Sequence, residues 1–343
     1  MNYDQLKRIA NEMVAEGKGI LAADESTPTC TKRFDSIGVE STKISRNKYR
    51  DLLFTTSGLE DYISGIILYD ETIKQSTISE SIPFPKYFES KNIIPGIKVD
   101  MGTKPLALHS KEKVTEGLDG LQQRLEGYYN LGARFAKWRA VITIGNGIPT
   151  KACIQTNAHA LARYAALCQE ASIVPIVEPE VLMDGEHTIE TCHEISEKSF
   201  REVFKELDIQ GIYLEGMVLK PNMVISGIGC VDQAGVEEVA ERTVECLRST
   251  VPDEVPGCAF LSGGQSNENA TAHLNKMNEK YRDDLPWNLT FSYGRALQAL
   301  ALQIWCGKDQ NINAAKNVFY KRARCNSFAT RGKYSYEMEE VVA

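Results

Sequence analysis

The sequence predicts an α/β fold, a single closed (β/α)8 TIM barrel. Three observations predict it: eight short apolar runs recur along the 343 residues, segments with helical periodicity separate these runs, and no linker or change of composition divides the chain. A doubly wound open sheet is the alternative. No apolar run, however, is followed by G-x-G-x-x-G or G-x-x-x-x-G-K-[ST], the phosphate loops of the commonest nucleotide-binding open sheets.

Most of the eight runs are bounded by Gly or Pro and are nearly continuously apolar, as expected for parallel strands that are buried on both faces. They lie at 19–24, 64–70, 93–100, 134–142, 173–181, 211–219, 257–264 and 289–296. Periodic, capped segments between them predict helices, among them 46–56, 117–132, 152–170 and 234–250. We therefore expect one domain over residues 1–343, with a short flexible acidic tail at about 332–343.

Composition excludes several functional classes. The formal net charge is -7, so nothing attracts the whole chain to nucleic acid or to an anionic membrane. The nine cysteines include no C-x-x-C pair, which is typical of reduced thiols in a cytoplasmic protein. The five histidines lack the spacing of a zinc site, so we expect neither a metal nor a cofactor. The sequence shows no signal peptide and no continuous apolar stretch long enough to cross a membrane.

In a barrel of this type the chemistry lies at the carboxyl ends of the strands, and these ends are unusually polar here. In chain order they carry Asp24, Glu25 and Ser26 on the first strand, Lys98 and Asp100 on the third, Lys137 and Arg139 on the fourth, Glu178 and Glu180 on the fifth, and Glu215 with Lys220 on the sixth. A structural ion pair explains any one of these residues equally well. Their convergence on the strand ends favours an active site.

Lys220 is the strongest candidate for a reacting group, because it directly follows the sixth apolar run. Burial and a neighbouring cation such as Lys137 would favour its free base, the form that attacks a carbonyl carbon. The alternative is a lysine that extends from the strand end into solvent. Glu178 and Glu180 could form a proton shuttle, could neutralise Lys137 and Lys220, or could do both.

Glycine-rich segments at the last two strands predict a phosphate site, since barrels often bind phosphate there. Its members would be Ser262, Gly263, Gly264, Ser292, Gly294 and Arg295. An isolated Ser-Gly-Gly is more often only a tight turn. A second anion site would use Ser26, Lys32, Arg33, Lys98 and Arg139, although Lys32 and Arg33 are equally consistent with solvated surface charges. Two anion sites flanking a lysine predict a bisphosphorylated carbonyl substrate.

Eight motifs in the chain are recognisable as a set. They are GKGILAADES (17–26), PGIKVD (95–100), GLDGL (117–121), GARFAKWR (132–139), IVPIVEPE (173–180), LEGMVLKPNMV (214–224), FLSGGQS (260–266) and FSYGRALQ (291–298). With these motifs the chain closely resembles the class I fructose-bisphosphate aldolase family. The motifs span nearly the whole chain, and VEPE together with LKPN is highly specific, whereas LSGGQS and SYGR alone would be much less so.

The resemblance implies a barrel, commonly a homotetramer, that reversibly cleaves fructose 1,6-bisphosphate to dihydroxyacetone phosphate and glyceraldehyde 3-phosphate without a metal. It implies that Lys220 forms the Schiff base, that Glu178 is the acid/base in carbinolamine dehydration, and that Asp24 handles the proton of the C4 hydroxyl. Lys137 and Glu180 would tune the site. The implied binding groups for the C1 phosphate are Ser262, Gly263, Gly264, Ser292, Gly294 and Arg295, and those for the other phosphate and the sugar hydroxyls are Ser26, Thr29, Arg33, Lys98 and Arg139.

Two departures from the family pattern matter. Much of the family has serine where this chain has Thr29, and the animal and plant members end in a terminal tyrosine, whereas the last tyrosines here are Tyr334 and Tyr336. The second departure leaves open a preference for fructose 1-phosphate over the bisphosphate. A different Schiff-base sugar-phosphate aldolase is the second enzyme hypothesis. A binding role toward cytoskeletal or scaffold proteins is the non-enzyme hypothesis, which loss of Lys220 or Glu178 would favour.

Overall fold

Eight parallel strands close into a barrel in the computed structural model, which describes residues 2–340. The strands are β1 (Gly19–Ala22), β2 (Ile63–Leu68), β3 (Ile94–Lys98), β4 (Thr103–Pro105), β5 (Lys113–Thr115), β6 (Phe135–Ile142), β7 (Val174–Val181), β8 (Val218–Leu219), β9 (Gly257–Phe260) and β10 (Asn288–Tyr293). Around the barrel they follow the order β1-β10-β9-β8-β7-β6-β3-β2, while β4 and β5 form a separate antiparallel hairpin. The predicted (β/α)8 barrel is confirmed.

Helices lie between the strands and cover the outside of the barrel. They are α1 (Tyr3–Met13), α2 (Thr27–Asp35), α3 (Lys43–Phe54), α4 (Asp70–Ile73), α5 (Phe84–Ser90), α6 (Leu121–Asn130), α7 (Lys151–Glu170), α8 (Ile189–Ile209), α9 (Val236–Thr250), α10 (Asn267–Tyr281), α11 (Arg295–Trp305), α12 (Ile312–Ala329) and α13 (Glu337–Glu340). Side-chain caps begin several of them; for example, Thr150 accepts a hydrogen bond from the Cys153 amide at the start of α7. Among the described residues, no helix combines the length and the apolar character that crossing a membrane requires.

Pairing between β6 and β7 sets the height of the polar strand ends. The two strands pair over their full lengths, with Lys137 opposite Ile176 and Arg139 opposite Glu178. Lys98, the last residue of β3, pairs in turn with Lys137. Parallel strands in register bring their carboxyl ends to one edge, so the charged residues of three neighbouring strands lie at one mouth of the barrel.

The opposite end of the barrel interior is filled by apolar side chains. Phe135, Val174 and Ile176 are fully buried there, and the apolar face of α1 packs against the same cluster. The ring of Phe135 occupies space beside β3, where a Cβ on Gly96 would lie only 2.2 Å from it. Glycine is therefore required at position 96 by close packing rather than by backbone conformation.

The sixth strand is shorter than predicted, and the placement of Glu215 on it is wrong. Residues Leu214–Gly216 form a 3-10 turn, and only Val218–Leu219 pair as a strand. Gln169 stabilises this turn by donating hydrogen bonds from its amide nitrogen to the carbonyl oxygens of Tyr213 and Gly216. Glu215 consequently lies away from the charged mouth and forms an exposed ion pair with Lys7 of α1, 3.2 Å long.

The C-terminal segment packs onto α12 within the described residues. Glu339 of α13 pairs with Arg322, whose side chain is only 3% exposed, and accepts a hydrogen bond from the Tyr334 hydroxyl. The predicted flexible tail at 332–343 overlaps this segment, and its last three residues lie outside the described part of the chain. Its mobility and the interpretation of 1–343 as one domain stay predictions.

Candidate active site

A cavity of about 390 Å³ opens at the carboxyl ends of the barrel strands. It brings together the residues that the sequence singled out from several separate strand ends and loops. The residues that the sequence predicts for the site and that line the cavity are Asp24, Ser26, Thr29, Arg33, Lys98, Lys137, Arg139, Glu178, Glu180, Lys220, Ser262, Gly263, Ser292, Gly294 and Arg295. Gly264 does not line it but lies next to it, since a Cβ there would be 3.3 Å from Arg295. Lys32 is exposed and is not brought to the cavity.

Glu178 forms the centre of the site, between two buried lysines. Its Oε1 atom lies 3.2 Å from Lys220 Nζ, and its Oε2 atom lies 3.3 Å from Lys137 Nζ. All three side chains are about 95% buried or more. Separating any one of these buried charges from its partners would be costly, so the three form a single electrostatic unit.

Two further carboxylates complete the charge balance around Lys137. Asp24, just after β1, lies 2.8 Å from Lys137 Nζ, and Asp100, just after β3, lies 3.9 Å away. Asp100 also lies 3.4 Å from Lys98 Nζ. The centre thus contains as many lysines as carboxylates, which leaves it near neutrality before any anion binds. The sequence places Asp100 at a strand end but does not predict that it belongs to the site.

The protonation states at the centre follow from these contacts. Burial raises the pKa of Asp24, but the stronger combined attraction of Lys137, Lys220 and Lys98 lowers it well below its ordinary value. Burial also opposes ionisation of Glu178, whose pKa is nevertheless lowered, chiefly by Lys137 and Lys220. The reverse holds for Lys137: burial disfavours its charge, but Asp24 and Glu178 raise its pKa. Asp24, Glu178 and Lys137 are therefore all ionised at neutral pH.

Arginine–carboxylate pairs lie at two separate places around the mouth, one on β6 and β7 and one after β1. Glu180 pairs with Arg139, so Glu180 does not neutralise Lys137 or Lys220, which was one sequence interpretation. Glu25 pairs with both Arg33 and the fully buried Arg50 of α3. Sequence reasoning missed Arg50, because a mid-helix arginine is usually exposed and nothing in the local pattern marks its burial.

The carboxyl ends of β9 and β10 have the features of an anion site. Gly263 and Gly264 have φ angles of +59° and +92°, a left-handed backbone that explains why glycine occupies both positions. The α11 helix begins at Arg295 directly after Gly294, so its free amides and the Arg295 guanidinium lie at the same edge. Ser292 is 1% exposed, and its hydroxyl has no hydrogen-bond partner among residues 2–340. A bound phosphate would supply that partner.

Hydroxyl groups at the start of α2 also line the mouth. Ser26 precedes α2, and its Oγ lies 3.0 Å from the Oγ1 of Thr29. The serine-to-threonine departure at position 29 therefore keeps a hydroxyl at the mouth. Across residues 2–340 there is no group of three or more His, Cys, Asp and Glu side chains arranged to hold a metal ion. Metal independence of the reaction stays a prediction.

Comparison with known proteins gives a consistent result. The family model described as fructose-bisphosphate aldolase class-I matches residues 5–343. A probable fructose-bisphosphate aldolase class 1 of Xanthomonas campestris pv. campestris is 58% identical over 336 residues, which cover 97% of this chain and 99% of the relative. Fructose-bisphosphate aldolase 1 of Toxoplasma gondii is 52% identical over 332 residues, or 96% of this chain and 91% of the relative.

Among solved structures, a similar one is a ternary complex of fructose-bisphosphate aldolase from Plasmodium falciparum with TRAP and a small molecule inhibitor. Its TM-score is 0.95 at 50% sequence identity, and the match covers 97% of this chain and 96% of that one. The structural likeness therefore extends over nearly the whole chain.

Proposed function

Because the chain belongs to the class I fructose-bisphosphate aldolase family and is a lyase that reversibly cleaves fructose 1,6-bisphosphate, we propose that Lys220 forms the Schiff base with the substrate. A preference for a monophosphate, the alternative left open by the sequence, is not favoured. The observation that carries the assignment is the contact between the buried Lys220 Nζ and Glu178 Oε1 at 3.2 Å. A lysine extending into solvent would have no such partner.

The contact also suggests how the amine becomes reactive. The Lys220 ammonium passes a proton to Glu178, and the free amine then adds to the C2 carbonyl. As the C–N bond forms and the carbonyl π bond breaks, one proton of the attacking nitrogen moves to the oxygen and gives a neutral carbinolamine. Glu178 then returns its own proton to the carbinolamine hydroxyl, which leaves as water as the nitrogen lone pair forms the protonated imine. Lys137 stays an ammonium group through these steps, because Asp24 and Glu178 raise its pKa. Its role is to hold both carboxylates rather than to exchange protons.

Cleavage of the C3–C4 bond requires a base at the C4 hydroxyl, and we assign this role to Asp24. Its lowered pKa keeps it ionised at neutral pH, so it can accept the hydroxyl proton. The electrons of the C3–C4 bond then flow into the protonated imine, giving an enamine on Lys220 and releasing the aldehyde product. The imine accepts the electrons that a metal ion would otherwise stabilise.

The two phosphates are assigned to two different groups of residues at the mouth. One lies on Ser262, Gly263, Gly264, Ser292, Gly294 and Arg295, and the assignment is supported by the unpartnered Ser292 hydroxyl and by the N-terminus of α11. The other lies near Ser26, Thr29, Arg33, Lys98 and Arg139. Arg33 and Arg139 are each paired with a carboxylate, so an anion there must share them. We expect weaker binding of phosphate at this second group.

Borohydride reduction with dihydroxyacetone phosphate tests the central assignment. Peptide mass mapping should find the reduced adduct on Lys220, and Lys220→Arg should lose the adduct and cleavage while keeping the fold. Lys137 shares the same carboxylate and is the internal control. An adduct on Lys137, or cleavage abolished by a chelator, would overturn the assignment.

Three further properties are proposals that follow from the family. We propose a homotetramer, which light scattering on the purified chain would test, and a cytoplasmic location, which fractionation would test. A cytoskeletal or other protein partner is also proposed, by analogy with the relative that was solved in complex with TRAP. Co-sedimentation with filamentous actin at physiological salt tests the cytoskeletal case.

A further inference from the structure

A glutamine behind the glycine-rich loop controls the shape of that loop. The backbone amide of Gln265 donates a hydrogen bond of 3.0 Å to the carbonyl oxygen of Ser262. Its side-chain Nε2 donates a second hydrogen bond to the same oxygen, also 3.0 Å long. Two donors on one carbonyl fix the peptide between Ser262 and Gly263, and with it the direction of the amides that would face a phosphate.

This glutamine is in turn held by His273, which lies on α10 and is 6% exposed. His273 Nδ1 lies 2.6 Å from Gln265 Oε1. The Gln265 amide cannot be reversed, because its oxygen would then face the Ser262 carbonyl oxygen. Oε1 is therefore the acceptor, and Nδ1 of His273 carries the donated proton.

The charge state of His273 is consistent with this assignment. Burial lowers the pKa of His273 to about 4, so the imidazole is neutral at neutral pH and carries one proton. The hydrogen bond to Gln265 selects the tautomer with that proton on Nδ1. The helix that carries His273 is itself fixed, since the buried Arg322 donates hydrogen bonds to Asn267 and Thr271 in its first turns.

We propose that His273 is a positioning residue for phosphate recognition: through Gln265 it holds the Ser262–Gly264 loop in its binding conformation. The proposal rests on the proposed function, in which this loop binds the phosphate of dihydroxyacetone phosphate. Two consecutive glycines in a loop are otherwise conformationally free, and ordering them would oppose binding. A loop that is already ordered by contacts with a rigid helix before the phosphate binds avoids this entropic cost. The interaction affects only the half of the substrate that carries this phosphate.

Two carbonyl compounds that differ only in the phosphate give the sharpest test. Schiff-base formation on Lys220 is measured by borohydride trapping at increasing concentrations of dihydroxyacetone phosphate and, separately, of dihydroxyacetone. His273→Leu removes the donor at similar volume, whereas His273→Asn keeps an N–H near the position of Nδ1. For His273→Leu we expect the half-saturating concentration of dihydroxyacetone phosphate to rise about five- to tenfold, the effect of losing one hydrogen bond, and that of dihydroxyacetone to stay unchanged. His273→Asn should behave like the unaltered protein.

Several outcomes would overturn the proposal. Equal weakening for both compounds in His273→Leu, or weakening in His273→Asn as large as in His273→Leu, would mean that the ring acts by packing alone. If His273→Leu does not fold, Gln265→Met removes the next link, the side-chain donor to the Ser262 carbonyl oxygen, without adding charge. It should show the same selective loss of dihydroxyacetone phosphate binding. If Gln265→Met then keeps the half-saturating concentration of dihydroxyacetone phosphate of the unaltered protein, the proposal is overturned.

Ser262→Ala separates this proposal from the proposed function on which it rests. If Ser262→Ala does not weaken the binding of dihydroxyacetone phosphate relative to that of dihydroxyacetone, the assignment of the loop to phosphate binding is wrong. If Ser262→Ala weakens the binding of dihydroxyacetone phosphate but His273→Leu does not, the loop still binds the phosphate. The proposed positioning role of His273 is then wrong.

Discussion

The two ends of the barrel interior are built from the same strands but from opposite kinds of side chain. On β6, Phe135 belongs to the apolar end and Lys137, two residues later on the same face, to the charged end. On β7, Val174 and Ile176 are followed on the same face by Glu178. The apolar end is closed by α1, whereas the other end opens to the cavity.

Because of this difference, residues that stabilise the fold and residues that perform the chemistry lie only two positions apart on the same strand. At the apolar end a side chain contributes by its volume, so a change there should alter the free energy of unfolding and leave turnover alone. At the charged end a change should alter turnover, and it should also alter the free energy of unfolding where it leaves buried charges without their main partner. Matched substitutions on neighbouring residues can therefore test whether the two ends are independent.

The largest effect is expected at Lys220. Lys220→Met should lower kcat by more than about 10⁴-fold, because no other amine can form the imine. Its effect on the melting temperature should be small, since Glu178 keeps Lys137 as a partner. Steady-state cleavage assays and thermal unfolding of the same preparation check both parts. Residual cleavage near the level of the unaltered protein would show that the charged end does not contain the reacting amine.

Replacement of Lys137 by methionine should lower both the stability of the fold and the rate of cleavage. Lys137→Met removes the cation that contacts Asp24, Asp100 and Glu178, and leaves buried carboxylates without it. We expect a loss of about 3–5 kcal/mol in the free energy of unfolding and a reduction of about 10²- to 10⁴-fold in kcat. Denaturant unfolding and cleavage assays measure the two. The result is contradicted if Lys137→Met is as stable as Lys220→Met.

A smaller effect is expected two residues earlier on the same strand. Phe135→Leu should reduce the free energy of unfolding by about 1–2 kcal/mol, because a leucine fills the space beside Gly96 incompletely. Turnover by the folded protein should stay within about twofold, since Phe135 belongs to the apolar cluster and does not line the cavity. Parallel unfolding and kinetic measurements with Lys137→Met as reference check this. A large loss of kcat would show that the two ends are coupled.

The pH dependence of stability should be the smallest effect within the neutral range. The pKa values of Asp24 and Glu178 are lowered on folding, so their contribution is fully present above the ordinary carboxyl values and disappears as the pH falls through the folded-state values. From these two groups we expect the free energy of unfolding to change by less than about 1 kcal/mol between pH 7 and pH 5 and to decline below about pH 4. Asp24→Asn should make that acid decline shallower, whereas Phe135→Leu should keep it. Denaturant unfolding at each pH provides the measurement, and an unchanged decline in Asp24→Asn contradicts the assignment.

Much of the fold and of the site could be predicted from local patterns. Apolar runs that end in charged residues indicate both a buried strand and its carboxyl end, so the sequence alone predicts that Lys137, Glu178 and Lys220 lie together. Helices α7 and α9 lie close to the predicted 152–170 and 234–250. The predicted sixth strand is too long because the 3-10 turn at Leu214–Gly216 has apolar residues on both sides, as a continuous strand would. Only the contacts of Gln169 distinguish the turn from a strand.

Residues that act through distant partners could not be predicted in this way. Arg50 is buried because Glu25, far away in sequence, supplies its counter-charge. His273 matters only through its contact with Gln265, eight residues earlier, and its own surroundings on α10 resemble an ordinary helix. Such pairs are set by the closed barrel and by helix packing, not by spacing along the chain.

The ion pair between Arg322 and Glu339 also affects how the chain can be handled. A guanidinium that is almost entirely enclosed depends on a carboxylate in the short final helix. Trimming the protein before this carboxylate, or replacing the segment with a purification tag, would leave an uncompensated charge inside the molecule. Fusions are therefore better attached beyond Glu339, so that this ion pair remains intact.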